Sequence, residues 1–102
     1  MKKLLLILVG EADRLGEVAL YEAITRKLIQ LEAPGATVQA GIMGFGSHHK
    51  IHSKRLFGVS DDRPISISVV AEEVFLRDKI LPSIRPMVRE GMVLLLDVEV
   101  IS

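Results

Sequence analysis

The sequence predicts an α+β fold of the ferredoxin-like kind, βαββαβ, an antiparallel sheet with two helices on one face. Three observations carry that expectation. A short run near the start is apolar at every position, two later segments alternate strictly, and helical periodicity fills the stretches between strands. At 102 residues the chain is the right size for one core, so residues 1–102 read as a single domain. Apolar residues make up 49% and charged residues 25%, the usual soluble mix. Thirteen Lys and Arg balance thirteen Asp and Glu, which argues against a nucleic-acid partner or wholesale binding to a membrane surface. The chain has no Cys; this excludes disulfides and thiolate chemistry and suits a reducing cytoplasm. Met1-Lys2-Lys3 followed by Leu4 to Val9 mimics a signal peptide. The apolar run is shorter than the ~7–15 residues such a leader needs, and charge follows it where a cleavage site would stand. The expectation is a soluble, cytoplasmic chain.

Leu4 to Val9, closed by Gly10, is too short for a helix and reads as a strand buried on both faces. Asp13 is placed to cap a helix over Arg14–Glu32, in which Leu20, Ile24, Leu28 and Leu31 form one stripe. Glu22 and Arg26 pair on its other side, and Pro34-Gly35 stops it. Ala36 to Met43 alternates as a strand. Gly44 to Arg63 shows no sustained pattern, and a connection of that length is usually functional or disordered. Mobility is expected over residues 47–60. Pro64 introduces a second alternation, Ile65-Ser66-Ile67-Ser68-Val69. Glu72-Glu73 open a second helix with Val74, Leu76, Ile80, Leu81 and Ile84 as its apolar set. Pro82 and Pro86 limit the expected helix to about Leu81. Met92 to Ile101 is the last strand, with Leu94, Leu96, Val98 and Val100 expected inward. Two helices cover one sheet face only, so the other face of the first strand, with Ile65, Ile67 and Val69 expected beside it, needs a second chain.

Chemistry concentrates in Gly41-Ile42-Met43-Gly44-Phe45-Gly46 and the following His48, His49, Lys50, His52, Lys54 and Arg55. Glycines permit positive φ and close backbone approach, and successive N–H groups in such turns hold anions. A phosphate-bearing ligand is one reading; a turn-rich loop beside a solvated basic stretch is the other. His48 and His52, four apart, with His49, also admit a metal site, against three solvated loop histidines. Arg85 and Arg89 stand ready to neutralise a phosphate or to remain exposed loop arginines. Glu11 and Asp13 follow the first strand, where ligands often sit, though a capping Asp13 needs no function. No nucleophile with an acid–base partner stands out, so no enzyme is expected and no cofactor is required.

Gly10-Glu11-Ala12-Asp13, Tyr21-Glu22, Gly35-Ala36-Thr37-Val38, the Gly41–Gly46 run and His52 together resemble the PII-like family known as domain of unknown function 190. The resemblance implies ferredoxin-like subunits in a homotrimer, with an adenine nucleotide (AMP, ADP or ATP) in clefts between subunits. It implies a regulatory protein whose 44–63 loop is the effector arm toward a partner such as a membrane transport protein. By position, Gly41, Gly44, Phe45, Gly46 and His52 match the family motif. Lys54, Arg55, Arg85 and Arg89 are the cations available to the nucleotide. Ala40 stands where members commonly carry Arg, and Ser68 and Ala71 where acidic residues are expected. The alternative is a metal-binding trimer resembling divalent-cation-tolerance proteins, with His48, His49 and His52 as ligands.

Overall fold

The structure is a computed structural model that describes residues 1–45, 51–53 and 62–102, the last of these segments and the first with side chains. Its fold is the predicted α+β ferredoxin-like arrangement. Four strands, β1 (Lys2–Gly10), β4 (Thr37–Ala40), β7 (Pro64–Glu72) and β8 (Met92–Asp97), form one antiparallel sheet in the order β4-β7-β1-β8. Helix α1 (Leu20–Gln30) and a second, composite helix cover one face. Two small hairpins are added to the scheme: β2 (Arg14–Leu15) with β3 (Val18–Ala19), and β5 (Met43–Phe45) with β6 (Ile51–Ser53).

Register decides which residues make the core. Leu5, Ile7 and Val9 of β1 stand opposite Val69, Ile67 and Ile65 of β7, and Leu5 and Ile7 also face Leu95 and Val93 of β8. These side chains meet Leu20, Ile24 and Leu28 of α1 and Leu76, Ile80 and Ile84 of the second helix. Ile7, Ile24, Ile67, Leu76, Ile80 and Ile84 are fully buried. The other face carries Leu4, Leu6 and Leu8, with Val70, Ser68 and Ser66 across one ladder and Leu96, Leu94 and Met92 across the other. None of these nine is buried. The inward set expected for the last strand is therefore inverted: Val93 and Leu95 pack on the core, Leu94 and Leu96 face away, and the strand ends at Asp97. Ile65, Ile67 and Val69 likewise belong to the covered face rather than the open one.

The first helix begins later than its expected start. Residues 14–19 instead make the β2–β3 hairpin, in which Gly16, at φ +65°, takes the first central position of a two-residue turn that favours Gly there. Asp13 caps no helix; its Oδ2 accepts from Gly10 N at 2.9 Å, and its carbonyl accepts from Leu20 N at 2.7 Å. The stripe itself is as predicted, and Arg26 Nη2 pairs with Glu22 Oε1 at 3.1 Å. Before Pro34-Gly35 is reached, the helix already ends in a Schellman arrangement. Ala33 N donates to Leu28 O and Glu32 N to Ile29 O, each at 3.0 Å, with Glu32 at φ +64°.

The second helix runs past Leu81 by changing pitch. An α-helical turn, α2 (Glu73–Phe75), widens into π geometry over Leu76–Ile80, resumes as α3 (Leu81–Ile84) and tightens to a 3₁₀ turn at Arg85–Met87. Pro82 lacks an N–H and would crowd the carbonyl four residues back in a regular helix. The wide π turn just before it offers a way past that conflict while Leu76, Ile80 and Ile84 stay on the core. Val74, expected in that set, is 70% exposed.

At the far end of the sheet Lys3 links Asp97 on β8 and lies 4.0 Å from Glu73, which pairs with Arg77 at 2.7 Å. The hydrogen bond that Lys3 donates to Asp97 holds Lys3 above its ordinary pKa and Asp97 below the usual carboxylate range; the bond that Arg77 donates holds Glu73 below that range.

Two outcomes follow from these features. Carboxylates with a depressed folded pKa stabilise fully above their unfolded value and lose that contribution as pH falls through the folded one. Lys3, with a raised pKa, loses its contribution only as pH rises through that raised value. Resistance to urea should fall toward acid pH, and Asp97→Asn should flatten that acid limb; an unchanged slope would contradict the assignment. Glu32→Gly removes a left-handed non-glycine residue costing roughly 1–2 kcal/mol, so the unfolding free energy should rise by about 1 kcal/mol.

Candidate functional site

One end of the sheet brings together Glu11, Asp13, Gly41 and Gly44 of the residues singled out for ligand chemistry. There β1 finishes at Gly10, β4 at Ala40, β7 begins at Pro64 and β8 at Met92. The end is held by a clasp between Gly10–Asp13 and Asp62–Pro64. Arg63 donates from Nε to Glu11 Oε1 at 2.9 Å and from Nη2 to Oε2 at 2.8 Å, a bidentate pair. Arg63 N also donates to Glu11 Oε1 at 3.2 Å, while Glu11 N donates to Arg63 O at 2.8 Å. Ala12 N donates to Asp62 Oδ1 at 3.0 Å. Glu11 is only 18% exposed, so the surrounding protein screens this pair less than it would a surface pair. Glu11 was noted in the sequence as a residue near a sheet end; its partner Arg63, 52 residues away, and Asp62, which holds Ala12 N from 50 residues away, carry no local signal.

Gly41 and Gly44 come together on Pro64. Gly41 N donates to Pro64 O at 2.6 Å. A Cβ on Gly41 would lie 2.7 Å from Pro64 Cγ, and one on Gly44 3.2 Å from the same atom. Neither glycine has positive φ: among the described residues Gly16 is the glycine that does. The expected conformational reason for these glycines thus gives way to a packing one. The backbone crosses the proline ring where Gly41 has no room for a Cβ and Gly44 has room only if Pro64 shifts. Gly44 then stands opposite His52, and Phe45 opposite Ile51, in the β5–β6 ladder. The sequence reading took residues 44–63 as unpatterned, so this hairpin is an addition. Its short strands and glycines left no alternation to read. Phe45 is 69% exposed, and Ile42 and Met43 are exposed beside it.

His52 is placed through its backbone in β6. Gly46, Lys54, Arg55, His48 and His49 lie outside the described residues, as does the expectation of mobility over 47–60. Among the described residues no group of three His, Asp or Glu could hold a metal.

Arg85 and Arg89 do not converge. Arg85 opens into a cleft of about 270 Å³ between the second helix and β8, beside Arg77, Leu81 and Val93. Arg89 lines another of about 310 Å³ beside Asp13, Arg14 and Met87, against the β2–β3 hairpin. Gly91, just after it, passes so close to Leu8 O that a Cβ could not be accommodated. That fixes the Arg89–Gly91 turn against the end of β1. No helix of the described residues is long and apolar enough to cross a membrane.

Comparison with known proteins places this arrangement. The family model described as Uncharacterized ACR, domain of unknown function 190, matches residues 2–100. A UPF0166 protein of Aquifex aeolicus (strain VF5) is 29% identical over 100 residues, covering 98% of this chain and 93% of that protein. Two solved structures of CPII from Thiomonas intermedia K12 are similar at 25% identity, covering 97% of this chain and 87% of theirs. One, at TM-score 0.70, is bound to ADP and bicarbonate. The other, at TM-score 0.71, is described as a nitrogen regulatory PII-like protein bound to ADP, AMP and bicarbonate.

The clasp can be tested directly. Arg63→Ala leaves Glu11 without its bidentate partner and should lower the unfolding free energy by about 1.5–3 kcal/mol, the range for hydrogen bonds to charged groups. Chemical denaturation at matched salt reads this, and a change below ~0.5 kcal/mol would show that the pair does not hold the sheet end.

Proposed function

This chain belongs to the Uncharacterized ACR family, domain of unknown function 190, and from that premise we propose that it is a PII-like, nucleotide-responsive regulator rather than an enzyme. The observation that carries the reading is the likeness to two PII-like CPII structures over 97% of the chain, both bound to ADP. The same likeness makes bicarbonate a candidate second ligand.

In this reading three copies assemble with their uncovered sheet faces toward the common axis. The physical support is the open face of Leu4, Leu6, Leu8, Val70, Leu94 and Leu96, an apolar layer that a single copy leaves in water. An adenine nucleotide binds between copies. Gly41, Gly44, Phe45, Gly46 and His52 supply the backbone cradle, with Lys54, Arg55 and the neighbour's Arg85 and Arg89 offsetting phosphate charge. Arg85 and Arg89 line different clefts, and Arg89, just before β8 begins at Met92, is the one at the sheet end where the long loop starts. Loop 44–63 is the effector arm. It leaves through β5 and returns through the Glu11–Arg63 clasp, so a ligand at its base biases what the arm can dock against, a membrane transport protein being the partner class proposed. The protein acts in the cytoplasm.

Calorimetric titration of AMP, ADP and ATP at matched ionic strength, with and without bicarbonate, tests the binding. Saturable binding of at least one nucleotide is expected, and Gly44→Val should abolish it by forcing bulk against Pro64. Silence from all three at millimolar concentration would overturn the reading. Light scattering should give three times the 11.2 kDa chain mass, and an 11.2 kDa monomer at micromolar concentration would contradict the assembly.

A further inference from the structure

We infer that the groove between β8 and the second helix docks an extended acidic segment of another protein, which joins β8 as a further strand. This groove is a different part of the surface from the loop base, and the inference holds whether or not the chain binds a nucleotide.

β8 is the last strand in the order β4-β7-β1-β8, so among the described residues only β1 pairs with it. Its outer edge offers unpaired N–H and C=O groups along Met92–Asp97. Soluble proteins usually blunt such an edge with charge or proline, and Met92–Leu96 carries neither. A cleft of about 270 Å³ runs along the edge, with Val93, Leu94 and Leu95 on the strand side and Arg77, Leu81 and Arg85 on the helix side. An edge strand with a helix beside it is the setting for strand addition. Backbone bonds then give the affinity, and the side chains along the groove choose the sequence.

The helix side specifies what fits. Arg77, Leu81 and Arg85 follow at intervals of four and line one cleft, although the pitch changes at the π turn. Eight helical residues place Arg77 and Arg85 roughly 12 Å apart along the axis. Four residues of extended chain cover about 14 Å, and every second side chain turns to the same face. An acid, an apolar residue and an acid at alternate positions therefore match Arg77, Leu81 and Arg85 in turn. Leu81, Val93 and Leu95 are partly buried and give the central residue an apolar floor. Both arginines keep donors for a ligand. Arg77 donates from Nε to Glu73 Oε2 at 2.7 Å, which leaves the outer nitrogens of a 55% exposed side chain. Arg85 is exposed and has no ion-pair partner among the described residues. The carboxylates nearest this groove, Glu73 and Asp97, are held by Arg77 and Lys3.

A second copy does not supply this occupant. Pairing β8 with β8 of another copy would gather the arginines of both at one seam, and Thr37–Ala40, the other open edge, has no carboxylate. Asp13 and Glu17 are the only acidic side chains in the sequence that stand four apart. The β2–β3 hairpin turns back between them, and Asp13 already accepts from Gly10 N. The acid–apolar–acid segment is therefore another protein's.

Fluorescence anisotropy with a labelled synthetic peptide, Thr-Glu-Thr-Leu-Thr-Glu-Thr, tests this on the wild-type protein as it assembles. Saturable binding is expected, and replacing both Glu of the peptide by Lys should abolish it. N-methylation of alternate peptide amides should abolish binding in one of the two possible sets, the set that faces β8. Arg85 is also among the cations proposed for the nucleotide, so Arg77→Gln isolates the groove. Peptide affinity should fall about tenfold in that variant, as for one lost hydrogen bond to a charged group. Combined Arg77→Glu and Arg85→Glu should reverse the preference toward the Lys peptide. No saturation by the Glu peptide at millimolar concentration, equal binding of the Lys peptide, or equal affinity in wild type and Arg77→Gln would overturn the site. Equal binding of both N-methylated sets would overturn strand addition, because charge alone would then hold the segment. The peptide changes need no protein variant, so misfolding of a variant cannot mask the result.

Discussion

The uncovered face of the sheet is the constraint on which the rest of this molecule turns. β1 is apolar on both sides, but the chain possesses helices enough for one. Leu5, Ile7 and Val9 disappear beneath α1 and the second helix, while Leu4, Leu6 and Leu8 keep contact with solvent. With Leu94, Leu96 and Val70 across the two ladders, the apolar strip spans three strands. At about 25 cal/mol per Å² of apolar surface removed from water, covering such a strip in identical neighbours is a strong drive to associate. Ser66 and Ser68 interrupt it on β7 and give the face its only hydroxyls within the β1–β7 ladder.

In the proposed function, assembly and ligand chemistry are linked through the geometry of one sheet end. The Glu11–Arg63 pair, the Asp62 and Asp13 bonds to backbone, and the contact of Gly41 and Gly44 with Pro64 hold the return of the long loop against the exit of β1. Gly91 holds the turn before β8 against the same end. These fixed points leave the loop base and Arg89 rigidly placed but on opposite edges. In the proposed function a neighbouring copy meets this end of the sheet, and a ligand bound between copies would in return stabilise the assembly.

Much of this was legible in the residues. The alternation of Ile65, Ile67 and Val69 and the stripe of Leu20, Ile24 and Leu28 each encode one apolar face, but only the register and packing say that the first of these turns to the helices and not to the open side. β8 was misread because Met92-Val93-Leu94-Leu95-Leu96 has no alternation; only its register on β1 says that Val93 and Leu95 point inward. The β2–β3 hairpin was hidden by an apparent helix start at Asp13, although Gly16 at a two-residue turn was the available signal. The run through Pro82 depends on a π turn, a cooperative choice of the whole helix that local propensity does not express. The Glu11–Arg63 clasp is a contact between residues 52 apart in sequence and has no local signature. In the glycine run, Gly41 and Gly44 are required for a physical reason other than the expected one: room for Pro64, with no positive φ at either.

In the proposed function the uncovered face, the assembly and the ligand site stand or fall together. Sedimentation of a Leu6→Asp, Leu94→Asp double variant, run with and without ADP, tests it most directly. Both positions are solvent-accessible in the single copy, so the chain should stay folded by circular dichroism. The account predicts a monomer near 11.2 kDa that no longer binds ADP. A variant that remains trimeric, or a monomer that binds ADP as wild type does, would contradict it.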